Sequence, residues 1–426
     1  MAYTLGIVLF ALGILFSICL HEAGHMGTAK AFGMKVTKYF AGFGPTLWSF
    51  RRGETEYGVK AIPAGGFVKI VGMTPLEDDI DPKDEPRAFW RKPLWQRTVV
   101  LAAGSVTHFI LGFALLWVTA FAVGVPNQTD SPGARAEIGQ VLPCVVVEYD
   151  TEKAQQRSDC RPGDAKSPAQ AAGLRDGDVV TKVDGVPVAD WQALVEKVRK
   201  SGDTPVTLTY ERDGAERSAR VDLVQSERPK FDEKENRYLI DPETGKVRPE
   251  DLEKVGTMGV AAQPTITFGP VDSLGVAGEY TGMVFTGTFT AIKKFPEKVP
   301  KLIDALAGEK RDAETPISVV GASRLGGEAA QEGIWPFFFF MLASLNVFIG
   351  IFNLIPLLPL DGGHIAIAWF EKVRSWFAAK RGRPDPGRVD YTKLMPLTYA
   401  VILVFGGISL LTIVTDIVNP ISILSP

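Results

Sequence analysis

His21-Glu22-Ala23-Gly24-His25 sets two imidazoles four residues apart with a carboxylate between them. On a helix, residues i and i+4 share a face, so both rings can bind one Zn²⁺, and Glu22 beside them can take a proton from water held there. That is the chemistry of metal-assisted hydrolysis. The motif closes a stretch, Ala2 to His21, that carries no Asp, Glu, Lys or Arg. Ionisable groups are costly in such a setting and are usually functional. A catalytic zinc needs a third protein ligand. One is available in Asn353-Leu354-Ile355-Pro356-Leu357-Leu358-Pro359-Leu360-Asp361-Gly362-Gly363-His364, which ends another charge-free stretch.

Four charge-free stretches must position these groups: Ala2 to His21, Thr98 to Thr129, Gly333 to Leu360 and Leu394 to Thr415. Each supplies the roughly 20 apolar residues that cross a bilayer as helix. The expected fold is therefore a polytopic α-helical membrane protein with about four transmembrane helices. The first stretch lacks a basic leader and a clear small-residue cleavage site, so it reads as a retained span rather than a signal peptide. Basic residues collect after span one (Lys30, Lys35, Lys38, Arg51, Arg52, Lys60, Lys69), before span two (Arg91, Lys92, Arg97) and between spans three and four (Lys372, Arg374, Lys380, Arg381, Arg383, Arg388, Lys393). By the positive-inside bias both loops are cytoplasmic, and the segment from about 126 to 333 is outside. Spans one and three then run in the same direction. About 18 helical residues precede His21, some ~27 Å at 1.5 Å per residue, which puts it toward the cytoplasmic leaflet of a plasma membrane. Asp361 arrives at the same depth. The net charge of −3 and the lack of a basic cluster indicate no nucleic-acid partner.

The expected organisation is transmembrane helix 1 over 1–30, a cytoplasmic-side loop over 31–96, transmembrane helix 2 over 97–126, a compact outside domain over 138–262, an outside or interfacial segment over 263–333, transmembrane helix 3 over 334–364, a cytoplasmic loop over 365–393 and transmembrane helix 4 over 394–418. Leu274 to Phe295 is moderately apolar with Glu279 inside it, and reads as an amphipathic helix on the outer face. In the outside domain, Ser167-Pro168-Ala169-Gln170-Ala171-Ala172-Gly173-Leu174-Arg175-Asp176-Gly177-Asp178 runs into Val179 to Val183 and Asp184-Gly185, a short helix, a turn, a strand and a hairpin turn. This resembles the PDZ domain of bacterial proteases. Cys144 and Cys160 are too few for a structural zinc site, and a disulfide fits an oxidising compartment.

HExxH in the first span with NLxPxxxLDGG in the third resembles the site-2 protease family of intramembrane metalloproteases. The inserted PDZ-like domain, Gly42-Phe43-Gly44-Pro45-Thr46-Leu47-Trp48 and Thr315-Pro316-Ile317-Ser318-Val319-Val320-Gly321-Ala322 resemble its actinobacterial members. The resemblance implies one Zn²⁺ on His21, His25 and Asp361, with Glu22 as base. It also implies a role in cutting transmembrane anti-sigma factors after a first outside cut by a site-1-type protease, releasing a cytoplasmic regulator. The chain departs from the family pattern at Leu358, where the family often has Pro, and at Gly104-Ser105-Val106-Thr107-His108, where it often has G-P-x-x-N.

His364, three residues after Asp361, and His108, inside span two, are expected beside the metal rather than on it. Glu54 to Ile70 reads as two strands around a Pro63-Ala64-Gly65-Gly66 turn, resembling the family's membrane-associated β-hairpin. Its edge can take an extended substrate strand, with Gly65, Gly66 and Asn353 as candidate substrate-binding residues. Two other classes compete. A PDZ-bearing membrane scaffold with a dead site has no use for Glu22 beside two ligands. A metal transporter needs polar groups along several spans, and spans two and four offer few.

Overall fold

The computed structural model describes residues 1–73, 80–126, 136–151, 156–157, 159–232, 237–239, 246–262, 265–309, 311–312 and 314–423. It divides into two compact units, one of residues 1–123 with 267–426 and one of residues 124–266. Four helices are long and apolar enough to cross a membrane: Ala2–Ala31, Leu94–Val123, Trp335–Asn353 and Tyr391–Val418.

In the first unit, α1 (Ala2–Ala31) stops at Gly33, which takes a left-handed φ of +70°. There Gly33 N–H donates to Lys30 O and Met34 N–H to Ala29 O, satisfying carbonyls the helix leaves open. Two long antiparallel strands follow, β1 (Val36–Arg52) and β2 (Thr55–Ile70). The hairpin turn is at Gly53-Glu54, and Pro63 to Gly66 lies inside β2. The expected turn there is thus corrected: those residues bend a strand, with Gly65 at φ +139°. The register shows why the sheet is wider than a hairpin. Tyr57, Gly58 and Val59 pair with Phe50, Ser49 and Trp48 on one side and with Tyr39, Phe40 and Ala41 on the other. Gly66, Phe67 and Val68 pair with Ala41, Phe40 and Tyr39.

Pro93 precedes α2 (Leu94–Val118), which continues through a π-helical turn at Thr119–Val123. The amphipathic segment expected over 274–295 is the longer helix α5 (Asp272–Leu306). It does not stand alone on a face. Ala277 packs with Leu116 of α2 and Ala343 of α7 (Trp335–Asn353), and Val284 packs with Val347 and Ile351. A helix absent from the sequence reading, α6 (Val319–Gln331), is capped by Ser318 Oγ accepting from Val320 and Gly321 N–H, and packs on α1 and α7 through Phe10, Ala322, Ala329 and Leu342.

The helix expected over 334–364 is broken. α7 ends at Asn353, and α8 (Asp361–Lys380) begins at the aspartate and runs into the loop expected over 365–393. Pro356 and Pro359 have no N–H to give a helix and interrupt it between α7 and α8. The glycines of LDGG let the intervening loop pack against the start of α8: a Cβ on Gly362 would meet Leu354 O at 2.3 Å, and one on Gly363 would meet Leu357 C at 2.6 Å. A 3₁₀ turn at Tyr391–Leu394 leads into α9 (Met395–Val418).

The second unit carries α3 (Pro168–Ala171), α4 (Trp191–Lys200) and a four-stranded sheet of β3 (Val179–Val183), β4 (Val186–Pro187), β5 (Val206–Arg212) and β6 (Ala215–Val221), in spatial order β6-β5-β3-β4. Alternation along β5 turns Val206, Leu208 and Tyr210 inward. They meet Leu194 and Val198 of α4 in one aliphatic core with Ile138, Val180 and Val221. Beside it β7 (Val224–Pro229) pairs with β8 (Leu252–Thr257). Cys144 and Cys160 are disulfide-bonded with Cα atoms 6.0 Å apart.

Candidate metal centre

The helical period of α1 puts His21 and His25 on its buried side, toward α2. Gly104 of α2 makes that approach possible. A Cβ there would fall 2.4 Å from His21 Cε1 and 2.5 Å from His25 Nε2. Gly24 does the same from the other helix, where a Cβ would lie 2.7 Å from Ala103 O. The break after α7 then delivers Asp361 at the first turn of α8. His21 Nε2 and His25 Nε2 are 3.1 Å apart, and Asp361 Oδ2 lies 3.3 and 3.4 Å from them.

These three atoms fit a metal by their spacing. Four ligands at about 2.0–2.1 Å in a tetrahedron stand about 3.3 Å from one another, and three of them leave one position open. They fit by chemistry also. Asp361 Oδ2 is buried and has no hydrogen-bond donor, yet faces two imidazole nitrogens. His25 Nδ1 lies 2.7 Å from Val100 O, so it donates its proton there and Nε2 keeps its lone pair for a ligand bond. His21, His25 and Asp361 are the metal-capable cluster among the described residues.

Glu22 projects from the next position on α1 toward β2. Its carboxylate accepts a hydrogen bond from the Val68 backbone, and its Cγ is 3.4 Å from where a Gly66 Cβ would stand. The base candidate therefore sits between the three donor atoms and the outer strand of the sheet. Of the substrate candidates, Gly66 is beside Glu22, and Gly65 is buried where a Cβ would meet the Phe43 ring at 2.9 Å. Asn353 is the half-buried last residue of α7.

His108 does not join the cluster. Its ring centroid is 5.0 Å from that of His21, and its Nδ1 is 2.8 Å from Asn346 Oδ1. Asn346 Nδ2 donates in turn to Leu342 O. That fixes the amide, so His108 Nδ1 is the donor of the pair. His364 turns away, with Nδ1 3.3 Å from Tyr391 OH. Gly104, the Val100 carbonyl and Asn346 escape the sequence reading. Asn346 carries a signal, as one of two amides in the stretch from Gly333 to Leu360, and Gly104 appears only as the start of the stretch that departs from the family pattern.

Membrane-crossing helices that bring two helical histidines and a distant aspartate together define an intramembrane metallohydrolase. The chain belongs to peptidase family M50, whose sequence profile matches residues 9–384. It is similar to the zinc metalloprotease Rip1 of Mycobacterium bovis, 42% identical over 422 residues that cover 99% of each chain. It is also similar to Rip1 of Mycolicibacterium smegmatis, 41% identical over 429 residues, covering 99% of this chain and 100% of the relative. The metalloprotease MmpA of Caulobacter vibrioides is 27% identical over 389 residues, 86% of each chain. The protein is accordingly a zinc metalloendopeptidase of the site-2 protease type, a multi-pass membrane protein whose cofactor is Zn²⁺.

Proposed function

We propose that His21, His25 and Asp361 hold the zinc, that Glu22 is the general base, and that the protein cleaves transmembrane segments of membrane proteins such as anti-sigma factors. The cut follows a first one outside by a site-1-type protease and releases a cytoplasmic signalling fragment. The observation that carries this reading is the convergence of three donor atoms within 3.4 Å of one another, with a carboxylate on the adjoining residue. Bound zinc supplies a Lewis acid that polarises a carbonyl and makes water acidic enough to attack at neutral pH.

The chain's own residues do the rest. Glu22 takes the proton of the attacking water at its carboxylate and returns it to the leaving amine. Val100 O holds the His25 tautomer, and His108, fixed by Asn346, backs the His21 ring. The substrate must lie extended, because a helix shields its own carbonyls. The edge we assign to it is 66–70, beside Glu22, with Gly65, Gly66 and Asn353 contributing. Tyr57 to Val59, with strand partners on both sides, is not such an edge.

In the same reading the zinc lies toward the cytoplasmic side and residues 138–262 form an extracytoplasmic PDZ domain that excludes bulky substrates until the first cut. A groove of ≈ 350 Å³ between α4 and β8, lined by Leu194, Val198 and Met258, supports the PDZ comparison. The deciding experiment reconstitutes the full chain with a transmembrane peptide. Wild type should hold one zinc and cut. Glu22→Gln should hold one zinc and cut ~10²–10⁴-fold more slowly, since an amide cannot accept the proton. Near-normal turnover by Glu22→Gln would remove Glu22 from the mechanism.

A further inference from the structure

The second half of α8 exposes what a soluble helix would bury. Trp369, Val373 and Trp376 lie on one side of the helix with Phe370 and Phe377 at its margin, all of them exposed. The opposite side is engaged: Ala368 and Ala378 are buried, and Glu371 pairs with Arg97 of α2 at 3.1 Å. Lys372 and Arg374 flank the aromatic side, Lys380 lies over the Trp376 ring at 4.7 Å, and Arg374 lies over Phe370.

The level of this patch is set by α2. Trp369 Nε1 donates to Thr98 Oγ1 at 3.2 Å. Thr98 is the first residue of the charge-free stretch of span two. So α8 leaves the apolar layer near Glu371, and residues 372–383 emerge at the boundary where aromatic rings and basic heads collect.

At that boundary the chain folds back on α8. Arg374 donates to the carbonyl of Gly387 at 2.6 Å, and Asp385 accepts from Ser375 Oγ and Gly387 N–H, closing a turn against the helix. Between turn and helix is a groove of ≈ 530 Å³ with an apolar floor of Phe370, Val373 and Phe377 and a rim of Arg374, Arg381 and Arg383. The neighbouring carboxylates are already used: Glu371 by Arg97 and Val389 N–H, Asp385 by the turn. Arg381 and Arg383 have no ion-pair partner among the described residues. Three guanidiniums over an aromatic floor, level with the membrane surface, complement a phosphodiester joined to acyl chains.

We propose that this groove binds an anionic phospholipid, its phosphate on Arg381 and Arg383 and its glycerol and first acyl carbons on Phe370, Val373 and Phe377. The site is separate from the zinc assignment and stands whichever residues hold the metal. Because the same helix begins with Asp361, the bound lipid would anchor the helix that carries the aspartate.

The test reconstitutes the full chain in equimolar phosphatidylcholine and phosphatidylglycerol, extracts it in mild detergent and counts retained lipids by native mass spectrometry. Wild type should retain phosphatidylglycerol over phosphatidylcholine. Arg381→Gln with Arg383→Gln should lose that preference ~30-fold, at about 1 kcal/mol for each basic residue removed. Arg381→Lys with Arg383→Lys should keep most of it, and zinc content should match wild type in both, showing that the variants fold. An undiminished preference in the double glutamine variant would overturn the proposal. So would full displacement of the lipid by inorganic phosphate, which would make this a site for a free anion.

Discussion

The two units of this molecule are held together by different means. In the inserted unit the interior is aliphatic: Ile138, Val180, Leu194, Leu208 and Val221 meet around Trp191. Burial from water at ~25 cal/mol per Å² of apolar surface drives that packing. In the membrane unit glycines stand where one helix meets the next. A Cβ on Gly6 would fall 2.5 Å from Ala330 Cβ, and one on Gly350 would fall 2.5 Å from Phe109. Lipid tails are as apolar as leucine, so helices there associate by close approach and by polar contacts rather than by escaping water. The lesson is where damage goes. Volume added at Gly104 in the membrane unit would be pushed into the two imidazoles, whereas the inserted unit is most sensitive to whatever holds its chain together in water.

The largest effect expected from this contrast is at Gly104. Valine there has no room between α2 and the two imidazoles, so the ligands must part. Gly104→Val should lose bound zinc and with it all measurable cleavage, while the Cys144–Cys160 bond still forms. Metal analysis of the purified variant beside non-reduced peptide mapping reads both. Zinc retained at wild-type stoichiometry would mean that α2 does not press on the ligands as described.

A smaller effect is expected one layer out. Asn346→Ala removes the oxygen that accepts from His108 Nδ1. His108 loses its fixed orientation behind His21, and zinc affinity or turnover should fall ~10- to 100-fold, the usual range for groups that orient a ligand. Asn346→Asp, which still accepts, should recover much of the loss. Titration with a competing chelator separates affinity from turnover. Equal loss in both variants would point to a packing defect instead.

What could be read from the chain beforehand follows the same divide between local and non-local causes. His21, Glu22 and His25 are legible because a helix repeats every 3.6 residues, and the depth match with Asp361 follows from where charges stop. The break at Asn353 is written in Pro356 and Pro359, but the apolar stretch reads as one span through residue 364, because hydropathy does not register a helix interruption. The Pro-Ala-Gly-Gly run looked like a hairpin turn; glycine marks positive φ, and a bend inside a strand needs that as much as a turn does. Gly104 stands at the start of a family motif, but its role is not legible there, because glycine is common in membrane helices and its meaning lies in which helix comes near. Asn346 was visible as an amide in an apolar stretch, and its partner lies 238 positions away.

The smallest effect on chemistry, and the sharpest test of the division between units, concerns the disulfide. Cys144 pairs in register with Lys166, and Cys160 closes a loop of 16 positions back onto it. Opening a loop of that size restores unfolded-state entropy worth roughly 3 kcal/mol in the chain-entropy account. Cys144→Ser with Cys160→Ser should therefore raise the open population of the inserted unit by ~10²-fold, seen as faster amide exchange in β3, β5 and α4. The same variant should bind one zinc and cut a short transmembrane peptide at the wild-type rate, because both cysteines belong to the inserted unit and all three proposed metal ligands to the other. Exchange in α1 and α2 should not change. A matching fall in zinc content or in turnover on the short peptide would show that the two units share their stability, and the contrast drawn between them would fail.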